Sequence, residues 1–470
     1  MSLLSLSTEL LNHIASHLIP TMDDDTGSYD PDPDFRSCRL ALLSLVKTGN
    51  HKLHAIAIPH LYHTVCIYDI RCLFDFLHTL VHHPHLADFV RVLNLATFLD
   101  GRLDDCTDDK SQALYAGITP DMKAFSFLPL CFGDDFEELS WSETDDFAEL
   151  SFGLLLCLTN RLESLHLHSP NWNAGDLDPL AAVFASAYDD RAPLPGGFLP
   201  RLSRLALSAD PRCDDPLLPA GTPGCFMGPG NIKHLELFGA NLQGDDELDL
   251  AKWRSVETIR ISYAHATGSW WYELCSKARP KLRCVDISIS PYSSGDDSPA
   301  NEGFNAAFAL CAESLESLRL DFDSVGTHAW IDCVRNMHKL RYLDVSVAVL
   351  FASPTAMGRQ NICDVLPPPL EELCLRDDVI EAWEDLLPDI DEDAELDWSS
   401  PGLGKDAPGV IERALLQLAL ESESKLPRLR WVRVVVDERL NERLLEGLFT
   451  CPVERDGSRF TYTCVPRRSR

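Results

Sequence analysis

The chain has 470 residues, of which 45% are hydrophobic and 24% are charged. This length and composition indicate a folded protein of several domains or a repeat array, because one compact core does not extend to this size. The formal net charge of −32 repels a phosphate backbone and argues against general nucleic-acid binding. No apolar run is long enough to cross a membrane, and the scattered cysteines favour a reducing compartment, cytoplasmic or nuclear.

The N-terminal region predicts three short helices. The first helix has its apolar residues on one face: Leu6, Leu10, Leu11, Ile14 and Leu18. Ser7 is placed to cap this helix, and an acidic, proline-containing insert, Thr21–Asp34, follows it. A second apolar helix covers Leu40–Val46 and ends at Gly49, and a third ends at Pro59. Helices this rich in leucine cannot bury themselves fully, so part of their surface is predicted to contact a partner.

This order of residues resembles an F-box, most closely the fungal type. The matching pattern is L-x-x-E-L-L-x-x-I-x-x-x-L from Leu6 to Leu18, then the second helix, then I-P-x-L-Y up to Tyr62. Two features differ, because Ser7 replaces the usual proline and the acidic insert lengthens the first connection. The resemblance implies docking to a Skp-type adaptor by residues that contact it or support the contacting face: Leu6, Leu10, Leu11, Ile14, Leu18, Leu45, Val46, Leu61 and Tyr62.

A second pattern, apolar-x-x-apolar-x-apolar, recurs through the rest of the chain. It occurs at Val90–Leu95, Leu162–Leu167, Leu202–Leu207, Ile232–Leu237, Val256–Ile261, Leu282–Ile287, Leu315–Leu320, Leu340–Val345, Leu370–Leu375 and Leu429–Val434. Each phrase alternates with period two and predicts a short strand with one buried face. Because helical patterns lie between many of the phrases, the array predicts a repeat solenoid.

The repeats resemble the irregular leucine-rich repeats that follow many F-boxes. The resemblance implies an α/β protein in which a three-helix F-box precedes an irregular leucine-rich repeat solenoid, or horseshoe. The predicted domains are the F-box-like region 1–65, a connecting helix in 66–89 and the repeat domain 90–470. Acidic inserts are predicted near 100–150 and 384–409.

The predicted concave face carries the candidate target-binding residues. They lie between or just after the buried strand residues: His166, His168, Phe238, Arg260, Asp286, Arg319, Asp321, Asp344 and Arg376. Alternating charges with one aromatic ring suit an extended peptide or a protein surface. Each position also fits an ordinary solvated strand.

The sequence contains no motif that predicts catalysis, a metal or a cofactor. His78 and His82 lie one helical turn apart and are a possible metal pair, but solvent-exposed histidines are the more common interpretation. Trp270 and Trp271 are predicted to pack between neighbouring helices rather than to form an exposed anchor.

The F-box and repeat resemblances together imply a non-enzymatic substrate-recognition subunit of a Skp–cullin–F-box ubiquitin ligase. Its partners would be a Skp-type adaptor, a cullin scaffold and a target protein, with no nucleic acid and no membrane. The chain would act by holding the target near the ubiquitin-conjugating enzyme. The alternative is a repeat scaffold of the same architecture that binds proteins without joining a ligase.

Overall fold

The structure is a computed structural model of the chain. It describes residues 3–19, 33–95, 144–169, 199–209, 218–219, 231–242, 250–266, 268–278, 281–289, 301–322, 331–351, 360–376, 417–418, 420–436 and 461–466. The chain divides into two compact units, Met1–Ile232 and Lys233–Arg470.

Unit 1 begins with three helices that share one apolar core. A short 3-10 helix, Leu3–Ser5, precedes α1 (Thr8–Ser16), α2 (Pro33–Lys47) and α3 (His51–Leu61). The buried residues of the core are Leu11, Ala15, Leu42, Leu53, Ile56 and Ala57. The Lys52 ammonium group of α3 donates to the carbonyl of Leu6 at 2.9 Å, which ties the chain before α1 to α3.

The helix ends follow local sequence signals with one exception. Ser7 caps α1, since its hydroxyl accepts the Leu10 N–H at 3.3 Å, and the chain turns at Gly49 with a positive φ of 71° after α2. The prediction that the third helix ends at Pro59 is wrong, because α3 continues to Leu61. A proline this close to the end removes only one helical hydrogen bond, and the Tyr62 N–H still bonds the carbonyl of Ile58 at 3.1 Å.

Strands and helices alternate in the rest of unit 1. In chain order they are β1 (Thr64–Ile67), α4 (Ile70–His82), a 3-10 helix (Pro84–Phe89), β2 (Val92–Leu95), α5 (Thr144–Leu158), β3 (Ser164–Ser169), β4 (Arg204–Ala209) and the two-residue β5 (Leu218–Pro219). β1, β2, β3 and β4 pair side by side and in parallel. Helical crossovers of this kind are what parallel neighbours require.

Unit 2 repeats the same alternation. Its elements are β6 (His234–Phe238), β7 (Ala240–Leu242), a 3-10 helix (Leu250–Ser255), β8 (Thr258–Ala266), α6 (Gly268–Ala278), β9 (Cys284–Ile289), α7 (Asn301–Cys311), β10 (Ser317–Phe322), a 3-10 helix (Asp332–Asn336), β11 (Tyr342–Ser346), α8 (Val347–Leu350), α9 (Ile362–Val365), β12 (Glu372–Arg376), helical residues 420–425, β13 (Trp431–Val436) and β14 (Thr461–Pro466). Strands β6, β8, β9, β10, β11, β12, β13 and β14 form a parallel sheet in that order.

The recurring phrase sets the strand register within each unit. Every phrase contains a strand that starts two residues after its first apolar residue, and equivalent apolar residues stand opposite one another. In unit 2 the second apolar positions pair as Leu235, Ile259, Val285, Leu318, Leu343, Leu373 and Val432, and all are buried. The predicted α/β class with a parallel, solenoid-like strand arrangement is thus confirmed, whereas the F-box and leucine-rich repeat assignments stay predictions.

A recurrent hydrogen bond joins successive repeats. The carbonyl of Glu257, just before β8, accepts N–H groups from Arg283 and Cys284 at 2.8 and 3.1 Å. The carbonyl of Arg283 accepts in the same way from Glu316 and Ser317. This arrangement satisfies backbone groups at the strand entry that would otherwise lack partners.

The strands begin earlier than the predicted repeat domain. β1 precedes residue 90 and pairs with β2, but its sequence, TVCI, does not contain the recurring phrase. The predicted insert near 100–150 lies largely outside the described residues, and its end belongs to α5. The inserts at 21–34 and 384–409 also fall outside them, apart from the start of α2.

Trp270 and Trp271 pack inside unit 2, as predicted. The Trp271 ring lies 6.2 Å from Phe304 and 6.4 Å from Phe308 of α7, between ring centroids, and its side chain is 0% exposed. Trp270 meets Trp253 edge-on at 6.0 Å. The two tryptophans therefore join α6 to its neighbours on both sides.

Candidate functional site

Helix α1 presents an apolar pair to solvent. Leu10 is 52% exposed and Ile14 is 41% exposed, although both sit on a helix that already has a buried face. The two residues lie one turn apart and therefore on the same side of α1. Leu40 of α2 is also exposed, at 63%. Surface leucines are common singly, but a helical pair beside a complete core is typical of a docking surface.

The other predicted docking residues lie beneath or beside this apolar pair. Leu11 belongs to the buried core. The partly buried residues packed against that core are Leu6, Leu18, Leu45, Val46 and Leu61. Tyr62 is half-buried and stacks on Phe76 of α4, with ring centroids 6.3 Å apart. Only Leu10 and Ile14 of the predicted set are exposed, and Leu40 was not in the set because it lies outside the F-box pattern.

Polar groups fix the start of α1. The pKa of Glu9 is lowered, first by a backbone hydrogen bond and then by the Ser7 hydroxyl. His13 and His17 lie close together on the exposed side of the helix, with their Nε2 atoms 3.4 Å apart. A capped first turn with an ionised carboxylate holds the apolar pair on a well-formed helix.

The charged residues of the predicted target-binding face form one chain of ion pairs in unit 2. This ion-pair ladder consists of Arg260, Asp286, Arg319, Asp344, Arg376 and Asp321. Arg260 pairs with Asp286 at 3.1 Å, and Arg319 lies between Asp286 at 3.7 Å and Asp344 at 3.5 Å. Arg376 reaches both oxygens of Asp344 at 2.7 and 3.0 Å and also pairs with Asp321. Three arginines and three aspartates make the ladder neutral.

The end of the ladder stays ionised although it is buried. Burial by itself raises the pKa of Asp344, but hydrogen bonds and charge from Arg376, with the charge of Arg319, outweigh it and the pKa is lowered. The pKa of Arg376 is raised, since its bonds to Asp344 and Asp321 outweigh the opposing effect of burial. These charges are therefore ionised and paired across neutral pH.

The lowered pKa of Asp344 predicts an acid-sensitive contribution to stability. The ionised carboxylate stabilises unit 2 above the ordinary pKa of 3.8, and this contribution disappears as the pH falls through the folded-state pKa. We expect the urea midpoint of the wild type to fall more steeply below that pH than the midpoint of Asp344→Asn. Parallel pH profiles for the two proteins would contradict the ionised pairing.

The remaining predicted target-binding residues have local contacts. The His166 Nε2 lies 2.9 Å from the Ser164 hydroxyl, and His168 is buried with its Nδ1 2.9 Å from Ser208. Phe238 packs on Tyr263 at 4.9 Å between ring centroids. A target that binds this face must use other groups or displace existing contacts.

A second row of alternating charges lies just before the strands of unit 2. We call it the leading row: Lys233, Glu257, Arg283, Glu316, Arg341, Glu371 and Arg430. Its ion pairs are Lys233–Glu257 at 3.4 Å, Arg283–Glu316 at 4.0 Å and Arg341–Glu371 at 3.9 Å. The sequence carries this alternation at the second position of every unit 2 phrase, outside the strand positions that were predicted to contact a target.

The predicted histidine pair lies on one side of α4 with its two rings close together. The His78 and His82 rings lie 4.1 Å apart, and the Nδ1 of His82 lies 2.9 Å from the carbonyl oxygen of His78. Within the described ranges, no three His, Cys, Asp or Glu side chains are arranged to hold a metal ion. The helices in those ranges are also too short or too polar to span a membrane.

Comparison with known proteins gives no assignment. No protein-family model matches the chain, and a search of curated proteins finds no significant match. Any functional interpretation consequently depends on the residues and contacts given above.

Proposed function

We propose that this chain is the substrate-recognition subunit of a Skp–cullin–F-box ubiquitin ligase. Helices α1 and α2 dock the Skp-type adaptor, which joins a cullin scaffold, and the repeats bind a target protein. The chain itself makes and breaks no bonds. It raises the effective concentration of the target at the ubiquitin-conjugating enzyme.

The observation that carries the proposal is the exposed pair Leu10 and Ile14. Both fall on F-box positions, and the helix that bears them already buries Leu11 and Ala15 in a complete core. About half of the surface of each residue is therefore not used for packing in the free chain. Burial of this remaining surface against an adaptor would contribute about 1 kcal/mol for each side chain.

Three further features support the proposal. Ser7, which replaces the usual proline, caps α1 through Leu10 and so preserves the start of the helix. Leu40 adds exposed apolar surface on α2. The parallel repeats supply an extended sheet face of the kind that repeat proteins use to bind partners.

The double variant Leu10→Asp/Ile14→Asp tests the docking role. We expect affinity for a co-expressed Skp adaptor to fall about a hundredfold or more, because two apolar anchors are lost and two charges are buried. Co-purification on the adaptor followed by titration measures the loss. Circular dichroism should be unchanged, because both residues are exposed in the free chain.

Asn12→Asp/Ser16→Asp provides the matched control. These exposed residues add the same charge to the same helix, about 160° from the apolar pair. The control should retain adaptor binding. A folded wild-type chain that binds no adaptor would overturn the proposal and favour the repeat scaffold that never joins a ligase.

A further inference from the structure

Strand β13 carries a group of side chains that differs from the rest of the sheet face. We call it the β13 patch: Arg430, Trp431 and Arg433. Trp431 is 51% exposed, and both arginines are exposed. Among the described residues, neither Arg430 nor Arg433 forms an ion pair.

Among the described residues, the neighbours on the β12 side do not neutralise the two arginines. Cys374 of β12 stands in register between Asp344 of β11 and Arg433 of β13, so the β12 residue directly beside Arg433 is not an acid. Burial raises the pKa of Cys374 to about 12, so its thiol is neutral and does not neutralise Arg433. In the leading row, the carboxylate that precedes Arg430 is Glu371, which pairs with Arg341.

The geometry of the patch suits an extended anionic segment. Trp431 and Arg433 stand two residues apart on a strand and thus project from the same face, with Arg430 immediately before them. Guanidinium groups bind carboxylates through paired hydrogen bonds, and exposed tryptophan supplies a large apolar contact. Trp and Arg are also the residue types most often found at binding hot spots.

Two features of the chain oppose an acidic ligand and therefore limit where it can bind. The net charge of −32 repels it at long range, and the exposed Glu372 stands in register with Trp431. The two arginines and Glu372, taken together, carry a net charge of +1 among the described residues of the patch. An acidic segment will bind only where short-range contacts to both arginines outweigh this repulsion.

We propose that the β13 patch binds an acidic peptide segment of a partner protein, with carboxylates on Arg430 and Arg433 and an apolar side chain on Trp431. The identification of that partner as the ubiquitylation target rests on the proposed function. The peptide-binding site itself does not.

Fluorescence anisotropy with the full chain tests this site. The probe is a labelled peptide in which Asp and Glu surround one Phe, and its comparison peptide has Gln at every acidic position. We expect saturable binding of the acidic probe only. Arg430→Glu/Arg433→Glu should weaken it about a hundredfold and Trp431→Ala about tenfold, as expected for loss of charged and aromatic hot-spot contacts.

Arg254→Glu/Arg335→Glu is the matched control. Both residues are exposed in unit 2, and the variant changes the net charge by the same amount. If both double variants weaken the probe equally, or if the acidic probe does not bind, the proposal is overturned. Self-association of the chain that Arg430→Glu/Arg433→Glu abolishes would also overturn it, because the occupant would then be a second copy.

The outcome is independent of adaptor docking. Loss of adaptor binding in Leu10→Asp/Ile14→Asp with intact peptide binding would support both proposals. If the chain binds the acidic peptide but no adaptor, the β13 site is supported and only the ligase proposal is overturned.

Discussion

Replacement of Arg376 by methionine is expected to lower the free energy of unfolding of unit 2 by about 3–5 kcal/mol. Arg376 is largely buried and holds two carboxylates, Asp344 and Asp321, which are themselves buried. Without the arginine, Asp321 loses this partner and Asp344 keeps only the more distant Arg319, so negative charge is left uncompensated in a poorly solvated site. Urea unfolding followed by circular dichroism measures the change.

Two variants show whether the buried charges cause this loss. The triple variant Arg376→Met/Asp344→Asn/Asp321→Asn should recover most of the stability, because neither buried carboxylate is left without its arginine and the half-exposed Arg319 keeps Asp286. Arg283→Met removes an arginine from an exposed leading-row pair, which is expected to cost less than about 1 kcal/mol. Equal losses for Arg376→Met and Arg283→Met would contradict the structural role of the ladder.

Replacement of Trp271 by alanine is expected to destabilise unit 2 by about 3–5 kcal/mol. The side chain is fully buried between α6 and α7, where it contacts Phe304 and Phe308. Alanine leaves a cavity that two rigid helices cannot close. Denaturant unfolding of the variant measures the loss.

Neighbouring substitutions provide the comparison. Tyr272→Ala alters the next residue, which is exposed, and should change stability by no more than about 0.5 kcal/mol. Trp271→Phe should cost far less than alanine, since it keeps an aromatic ring. It also removes an indole N–H that is buried without a hydrogen-bond partner among the described residues. A Trp271→Ala cost no larger than that of Tyr272→Ala would contradict the packing described here.

The strand array was predictable because its signal is strong and local. Each phrase places two apolar residues on one strand face. Parallel pairing brings equivalent residues of successive strands into register. One sequence pattern therefore predicts both which strand residues are buried and which residues they stand beside. β1 was not predictable in this way, because its four residues are all buried and lack the leucine spacing. Its place in the sheet depends on pairing with β2, a contact distant in sequence.

The site residues were harder to predict because a sequence pattern does not show which charges neutralise each other. Arg260 and Asp286 satisfy the expected position for target contact, yet parallel pairing makes them partners of one another. Arg433 could not be selected from the sequence for the same reason. Its place in the β13 patch depends on Cys374, the residue in register with it on β12, which carries no charge. On α1 the helical period placed Leu10 and Leu11 on the same apolar face and did not show which of them is exposed. In the structure Leu11 is buried in the helical core and Leu10 is exposed.

Hydrogen–deuterium exchange of the full chain with and without a purified Skp adaptor tests the central claim most directly. We predict that bound adaptor slows exchange in α1 and α2 and leaves the strands of unit 2 unchanged. Slower exchange in unit 2 alone, or no change in a folded chain at saturating adaptor, would contradict docking through the N-terminal helices.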